Sequence, residues 1–123
     1  MPHVIGLPAV YHTRGGMMPL LETIVENGCD ASETLTPLGT GGNARPAEIK
    51  QRIGGRVCLI GGVNQGEVLD GWARDEVRAK VFRLFSELGP GRGYIMSPSD
   101  HFFETPPDNL LPYDEAAREC RYD

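Results

Sequence analysis

Short apolar runs alternate along the chain with longer stretches of helical period. The runs are Pro8–His12, Cys29–Glu33, Val57–Ile60 and Gly93–Met96, each too short for a helix and read as a strand. Between them, Leu20, Leu21, Ile24 and Val25 recur on one face of a helix predicted over Met17–Asn27, with Pro19 in its first turn and Gly28 as its stop. A second helix follows Arg45–Pro46, turns Ile49 and Ile53 inward and ends at Gly54–Gly55. The third, from about Asp75 to Leu88, carries the clearest stripe: Val77, Val81, Leu84, Phe85 and Leu88, with Arg74, Asp75, Glu76, Arg78 and Lys80 on the solvated remainder. A fourth starts near Pro107 with Asp108 or Asn109 as its cap and runs through Leu110, Leu111, Ala116 and Ala117; Pro112 fits it only in the first turn.

Strand and helix repeated in this way imply a parallel α/β sheet, because parallel neighbours need a crossover and the crossover is usually helical. Four such units are half of a (β/α)8 barrel, whose full set takes about 250 residues. The 123 residues are read as one domain, with 40% apolar residues enough for one core. In such sheets ligands sit beyond the carboxyl ends of the strands, so the residues just after each run are the ones to read for chemistry.

Charge narrows the partners. A net charge of -5 argues against nucleic acid or an anionic membrane as the main partner, and an acidic ligand would need local Arg or Lys. No apolar run reaches the roughly 18 residues of a membrane span, and Met1–Gly16 lacks the layout of a signal peptide, so a cytoplasmic location is expected. Cys29, Cys58 and Cys120 are far apart and odd in number, which predicts reduced, mostly buried thiols.

The candidate residues follow the strands. His12-Thr13-Arg14-Gly15-Gly16 is either an anion clamp, where guanidinium and backbone N–H groups meet a carboxylate or phosphate, or a Gly-rich turn with an exposed Arg. Glu33 follows the second run, Asn64 and Gln65 the third, and Ser99, Asp100 and His101 the fourth. A Glu and a His in one cleft suit acid and base roles, which makes Glu33, Asp100 and His101 the catalytic candidates. The competing reading pairs Glu33 with Arg14 as a structural ion pair. His12 and His101 suggest metal ligands, but a third ligand at useful spacing is missing, so no metal is assigned. Neither a dinucleotide fingerprint nor a phosphate loop is present. The Gly-rich segment 36–45 is either mobile or shaped to let backbone approach a ligand, and Trp72 with Phe102 and Phe103 either lines a pocket for a flat ligand or closes an interface.

With these residues in view, the chain resembles the C-terminal half of a uroporphyrinogen decarboxylase family barrel. The likeness runs through Pro8–Gly16, Glu26–Ala31, Leu35-Thr36-Pro37, Ile49–Gly54, Leu59–Asn64, Asp75-Glu76-Val77, Gly93-Tyr94-Ile95 and Pro106–Leu110, in family order and spacing. It implies a cofactor-independent removal of acetate carboxyls from a carboxylated tetrapyrrole. On that reading Arg14, with His12, Asn64, Gln65 and Ser99, would bind the acidic substrate, and His101 would orient a carboxylate or move a proton. Glu33 and Asn64 would position it.

The family's corrinoid-linked methyltransferases, which hold zinc, typically show His-x-Cys-Gly after the corresponding strand and a further Cys near the last one. Here Arg14 stands where the first Cys would be, and Ser97–Phe103 contains none.

The family's arginine-rich segment and its pyrrole-binding aspartate belong to the other half of the barrel. Four strands cut from a barrel would leave two edges and an apolar face open. The expectation is therefore a homodimer in which two halves meet, a complex with an N-terminal barrel half, or a non-catalytic module that binds such a half.

Overall fold

The computed structural model describes residues 5–65, 72–100 and 104–122. His101, Phe102 and Phe103, singled out above, lie outside these residues. Within them the chain alternates strand and helix: β1 (Val10–His12), α1 (Leu21–Glu26), β2 (Ala31–Thr34), α2 (Pro46–Ile53), β3 (Cys58–Val63), α3 (Arg74–Leu88), β4 (Tyr94–Pro98) and α4 (Pro107–Glu119). All neighbouring strands are parallel, in the spatial order β1-β2-β3-β4. This is the expected half of a (β/α)8 barrel.

The helices pack side by side in chain order. Their buried faces and one face of the sheet form a single core that includes Leu21, Ile24, Ile49, Ile53, Leu59, Leu84, Leu88 and Tyr94. The predicted α3 stripe is confirmed, with Val77, Val81, Leu84 and Leu88 buried. Its charged residues are less solitary than a wet face implies: Arg78 bonds Glu119 at 2.9 Å and Arg74 pairs with Glu115, both on α4. Such exposed pairs contribute little each.

On the opposite face of the sheet, His12, Glu33, Ile60 and Ile95 lie in one row across the four strands. Val10 and Ile95 at the two edges are 54% and 55% exposed. In a closed barrel this face holds the packed interior.

The boundaries moved where glycine and proline were read as punctuation. β3 continues through Gly61 and Gly62 to Val63, because β4 runs beside it and pairs Gly61 with Met96 and Gly62 with Ser97. β2 starts at Ala31 and includes Thr34, since Asn27 Oδ1 holds the Cys29 N–H in a turn at 3.0 Å. The first helix splits into a 3-10 turn, Met18–Leu20, and α1, because the Leu20 N–H reaches back only three residues, to the Met17 carbonyl.

α4 has Pro106 at its cap and no side-chain cap bond from Asp108 or Asn109. Pro112 sits in its second turn rather than its first, buried on the inner face, where packing compensates for the missing N–H. The three cysteines are free and half-buried rather than buried, and burial pushes their thiols up from the ordinary range. No helix among the described residues is long and apolar enough to cross a membrane.

The Tyr94 hydroxyl is buried and donates to the Gly61 carbonyl at 2.8 Å. Burial raises its ionisation well above the ordinary 10.0. The unfolded chain therefore releases this proton first, so stability is whole below about pH 10 and falls as the pH rises beyond it. Urea midpoints measured across that range should show the fall, and Tyr94→Phe should flatten it. An equally steep loss in the variant would assign the alkaline sensitivity elsewhere.

Candidate functional site

The carboxyl ends of β1, β2 and β4 surround a cleft of about 230 Å³ lined by His12, Arg14, Thr34, Pro98, Ser99 and Asp100. Backbone pairing carries β1 and β2 past their last strand residues: the Thr13 N–H donates to the Glu33 carbonyl at 2.8 Å and the Thr34 N–H to the Thr13 carbonyl at 3.2 Å. That continuation lifts Arg14 to the rim. Its guanidinium pairs with the Asp100 carboxylate beyond β4, linking the two outer strands across the mouth. Arg14 is more than half exposed while Asp100 is largely covered, so a cation stands at the opening with its counter-ion held below.

His12 Nδ1 lies 2.9 Å from Glu33 Oε1. The ion pair expected between Glu33 and Arg14 does not form: each has a different partner. The reason is register: Glu33 lies beside His12, its partner across β1 and β2, whereas Arg14 lies beyond the strand end, where Asp100 meets it.

Ser99 is buried, and its hydroxyl donates to the Thr34 carbonyl at 3.2 Å while accepting the Gly62 N–H at 3.3 Å. It ties the ends of β2, β3 and β4 together beneath the cleft. Asn64 faces a neighbouring cavity of about 240 Å³ with Leu35, Pro37, Leu38, Trp72 and Lys80 among its lining. There its amide donates to the Leu38 carbonyl at 3.1 Å. Gln65 is buried, with no hydrogen-bond partner for Oε1 among the described residues.

The structure thus brings together His12, Arg14, Ser99 and Asp100, attaches Glu33 through His12, and sets Asn64 apart. Thr34 and Pro98 line the cleft as well, and the sequence reading missed both. The signal for each was its place at a strand's carboxyl end, hidden because the runs were closed one or two residues early.

Segment 36–45 folds back on its own backbone. The Gly42 and Ala44 N–H groups bond the Pro37 and Thr36 carbonyls at 3.2 and 3.1 Å, and a Cβ on Gly42 would lie 1.9 Å from the Thr36 oxygen. Trp72 lines the second cavity, as one of its two readings expected. Among the described residues, no three His, Cys, Asp or Glu side chains converge as metal ligands.

Residues 2–120 match the family model for uroporphyrinogen decarboxylase (URO-D). The uroporphyrinogen decarboxylase of Legionella pneumophila (strain Paris) is 29% identical over 114 residues, which cover 92% of this chain and 30% of that protein. The uroporphyrinogen decarboxylase of Cupriavidus necator is 29% identical over 119 residues, covering 94% and 31%. The chain therefore spans about 30% of the length of these curated relatives. A family match along nearly its whole length, on four parallel βα units in sequential order, means that the chain belongs to the uroporphyrinogen decarboxylase family.

Proposed function

We propose that these residues form the C-terminal half of a cytoplasmic carboxy-lyase of porphyrin biosynthesis, acting on a carboxylated tetrapyrrole without a cofactor once the barrel is completed. The complement is an N-terminal barrel half or a second copy of the chain. The observation that carries this reading is Arg14 at the rim of the cleft, more than half exposed and paired, among the described residues, with Asp100. A substrate carboxylate is a fair exchange for the Asp100 carboxylate, because both offer the guanidinium two oxygens.

Loss of CO2 leaves electrons on the substrate carbon that must be met by a proton. His101 is assigned to that transfer or to orienting the carboxylate, with Asp100 beside it in sequence. The His12–Glu33 pair sets the polarity of the inner wall, and Ser99 holds the strand ends in place. Asn64, which lines the neighbouring cavity, and Gln65 take part in substrate binding on this reading.

The test mixes the chain with an N-terminal barrel half of a family member and follows loss of acetate carboxyls from uroporphyrinogen by chromatography. Activity is expected in the mixture, and activity of this chain alone would assign the complement to a second copy. In the mixture, Arg14→Ala should weaken tetrapyrrole binding at least about tenfold, or roughly 1.5 kcal/mol, as for a lost charged hydrogen bond. Unchanged affinity would remove Arg14 from substrate binding; an inactive but assembled mixture would favour the non-catalytic module.

A further inference from the structure

At the other end of the sheet, before β4 begins, lies a cavity of about 370 Å³. The last turn of α3 supplies Phe85, the turn after α3 supplies Gly89, Pro90 and Arg92, and the segment after α4 supplies Arg121 and Tyr122. Its volume falls within the roughly 300–1,000 Å³ of small-molecule sites. Two arginines and two aromatic residues line it, and Arg121 Nη1 donates to the Cys120 carbonyl at 3.2 Å.

The aromatic floor is fixed. The Phe85 and Tyr122 ring centroids lie 5.4 Å apart, and the Tyr122 hydroxyl donates to the Tyr94 carbonyl. Arg92 is the informative residue. It has φ 70 between Gly91 and Gly93, which are also at positive φ. Any residue with a Cβ meets a steric penalty there, and glycine would not. The arginine is nevertheless seated by the Arg92 N–H to the Gly89 carbonyl at 2.9 Å and by Lys50 Nζ donating to the Arg92 carbonyl at 2.6 Å. Its guanidinium carbon lies 5.6 Å from the centre of the Tyr122 ring. The backbone there favours glycine, so what the side chain adds is a cation at an aromatic wall.

We propose that this cavity binds a flat aromatic carboxylate, its ring against Phe85 and Tyr122 and its carboxylate between Arg92 and Arg121. The site is independent of the decarboxylase reading, since it lies at the amino end of β4 while Arg14 and Asp100 lie at the carboxyl end. The probe is 2-naphthoate, titrated into the 123-residue chain and followed by amide NMR, with neutral 2-naphthamide and ring-free acetate as controls.

Saturable shifts are expected at Gly89, Arg92 and Tyr122, with each control at least tenfold weaker. Arg92→Gly should weaken naphthoate at least tenfold while leaving the thermal midpoint unchanged or higher, because glycine suits the left-handed backbone. Arg121→Ala should weaken it as well, and Arg14→Ala should not. The proposal fails if naphthamide binds as tightly as naphthoate or if Arg92→Gly binds as the parent does. It fails equally if the shifts map to Val10, Ile60 and Ile95 on the open sheet face.

Discussion

Gly61→Ala is expected to destabilise the chain by about 3 kcal/mol or more, summing overpacking and left-handed strain. A Cβ at this position would lie 1.8 Å from the Thr34 carbonyl oxygen, a backbone atom that cannot swing aside. The Gly61 backbone has φ 123, which side-chain-bearing residues rarely adopt. The damage should spread, because the same two residues hold other bonds: Gly61 O accepts the Tyr94 hydroxyl and Thr34 O accepts Ser99 Oγ. Forcing β2 from β3 would open the floor of the Arg14 cleft. Urea unfolding monitored by far-UV circular dichroism reads the stability loss, and amide shifts at Thr34 and Ser99 read its location. A midpoint within error of the parent would mean that β2 and β3 do not approach so closely at the mouth.

Periodicity revealed what depends on burial along one element. The α3 stripe, the inward Ile49 and Ile53 of α2 and the alternation of strand with helix all follow from apolar spacing, and the parallel, sequential sheet follows from them. Pairing between distant elements left no such trace. Arg14 and Asp100 are 86 residues apart, and nothing local to either favours that partner over Glu33. Register decides it, since Glu33 falls opposite His12 and Arg14 falls past the end of the strand.

The same uncertainty hid Thr34 and Pro98. Strand ends are hard to read here because glycine serves two purposes. Residues 61 and 62 look like a turn, yet they belong to the ladder, where the missing side chains admit a neighbouring backbone and the helix behind. Pro112 misled for the opposite reason: its cost inside a helix is local, while the burial that offsets it is tertiary.

Leu84→Ala should cost about 3–5 kcal/mol, toward the high end for a buried leucine. Leu84 is fully buried one turn before the end of α3. Its Cδ2 would lie 3.5 Å from a Cβ on Gly62, so the leucine fills space that the β3 glycine leaves empty. Truncation would leave a void with glycine on its sheet side, bounded by Leu88 and by the Tyr94 hydroxyl, which is held by the Gly61 carbonyl. Such sites relax little, and residual cavity volume is what makes leucine deletions expensive.

The loss is large against the roughly 5–15 kcal/mol that holds most domains folded, and the open sheet face of this chain leaves apolar surface that a complete barrel would bury. Arg83→Ala, one position away on the exposed side, should change stability by no more than about 0.5 kcal/mol. The contrast between adjacent positions is the measurement: equilibrium unfolding of both variants under identical conditions, alone and with a barrel-completing half. A partner that binds only the folded chain would recover part of the Leu84→Ala loss by mass action. A Leu84→Ala cost no greater than that of Arg83→Ala would mean that α3 is not seated on β3 through this side chain.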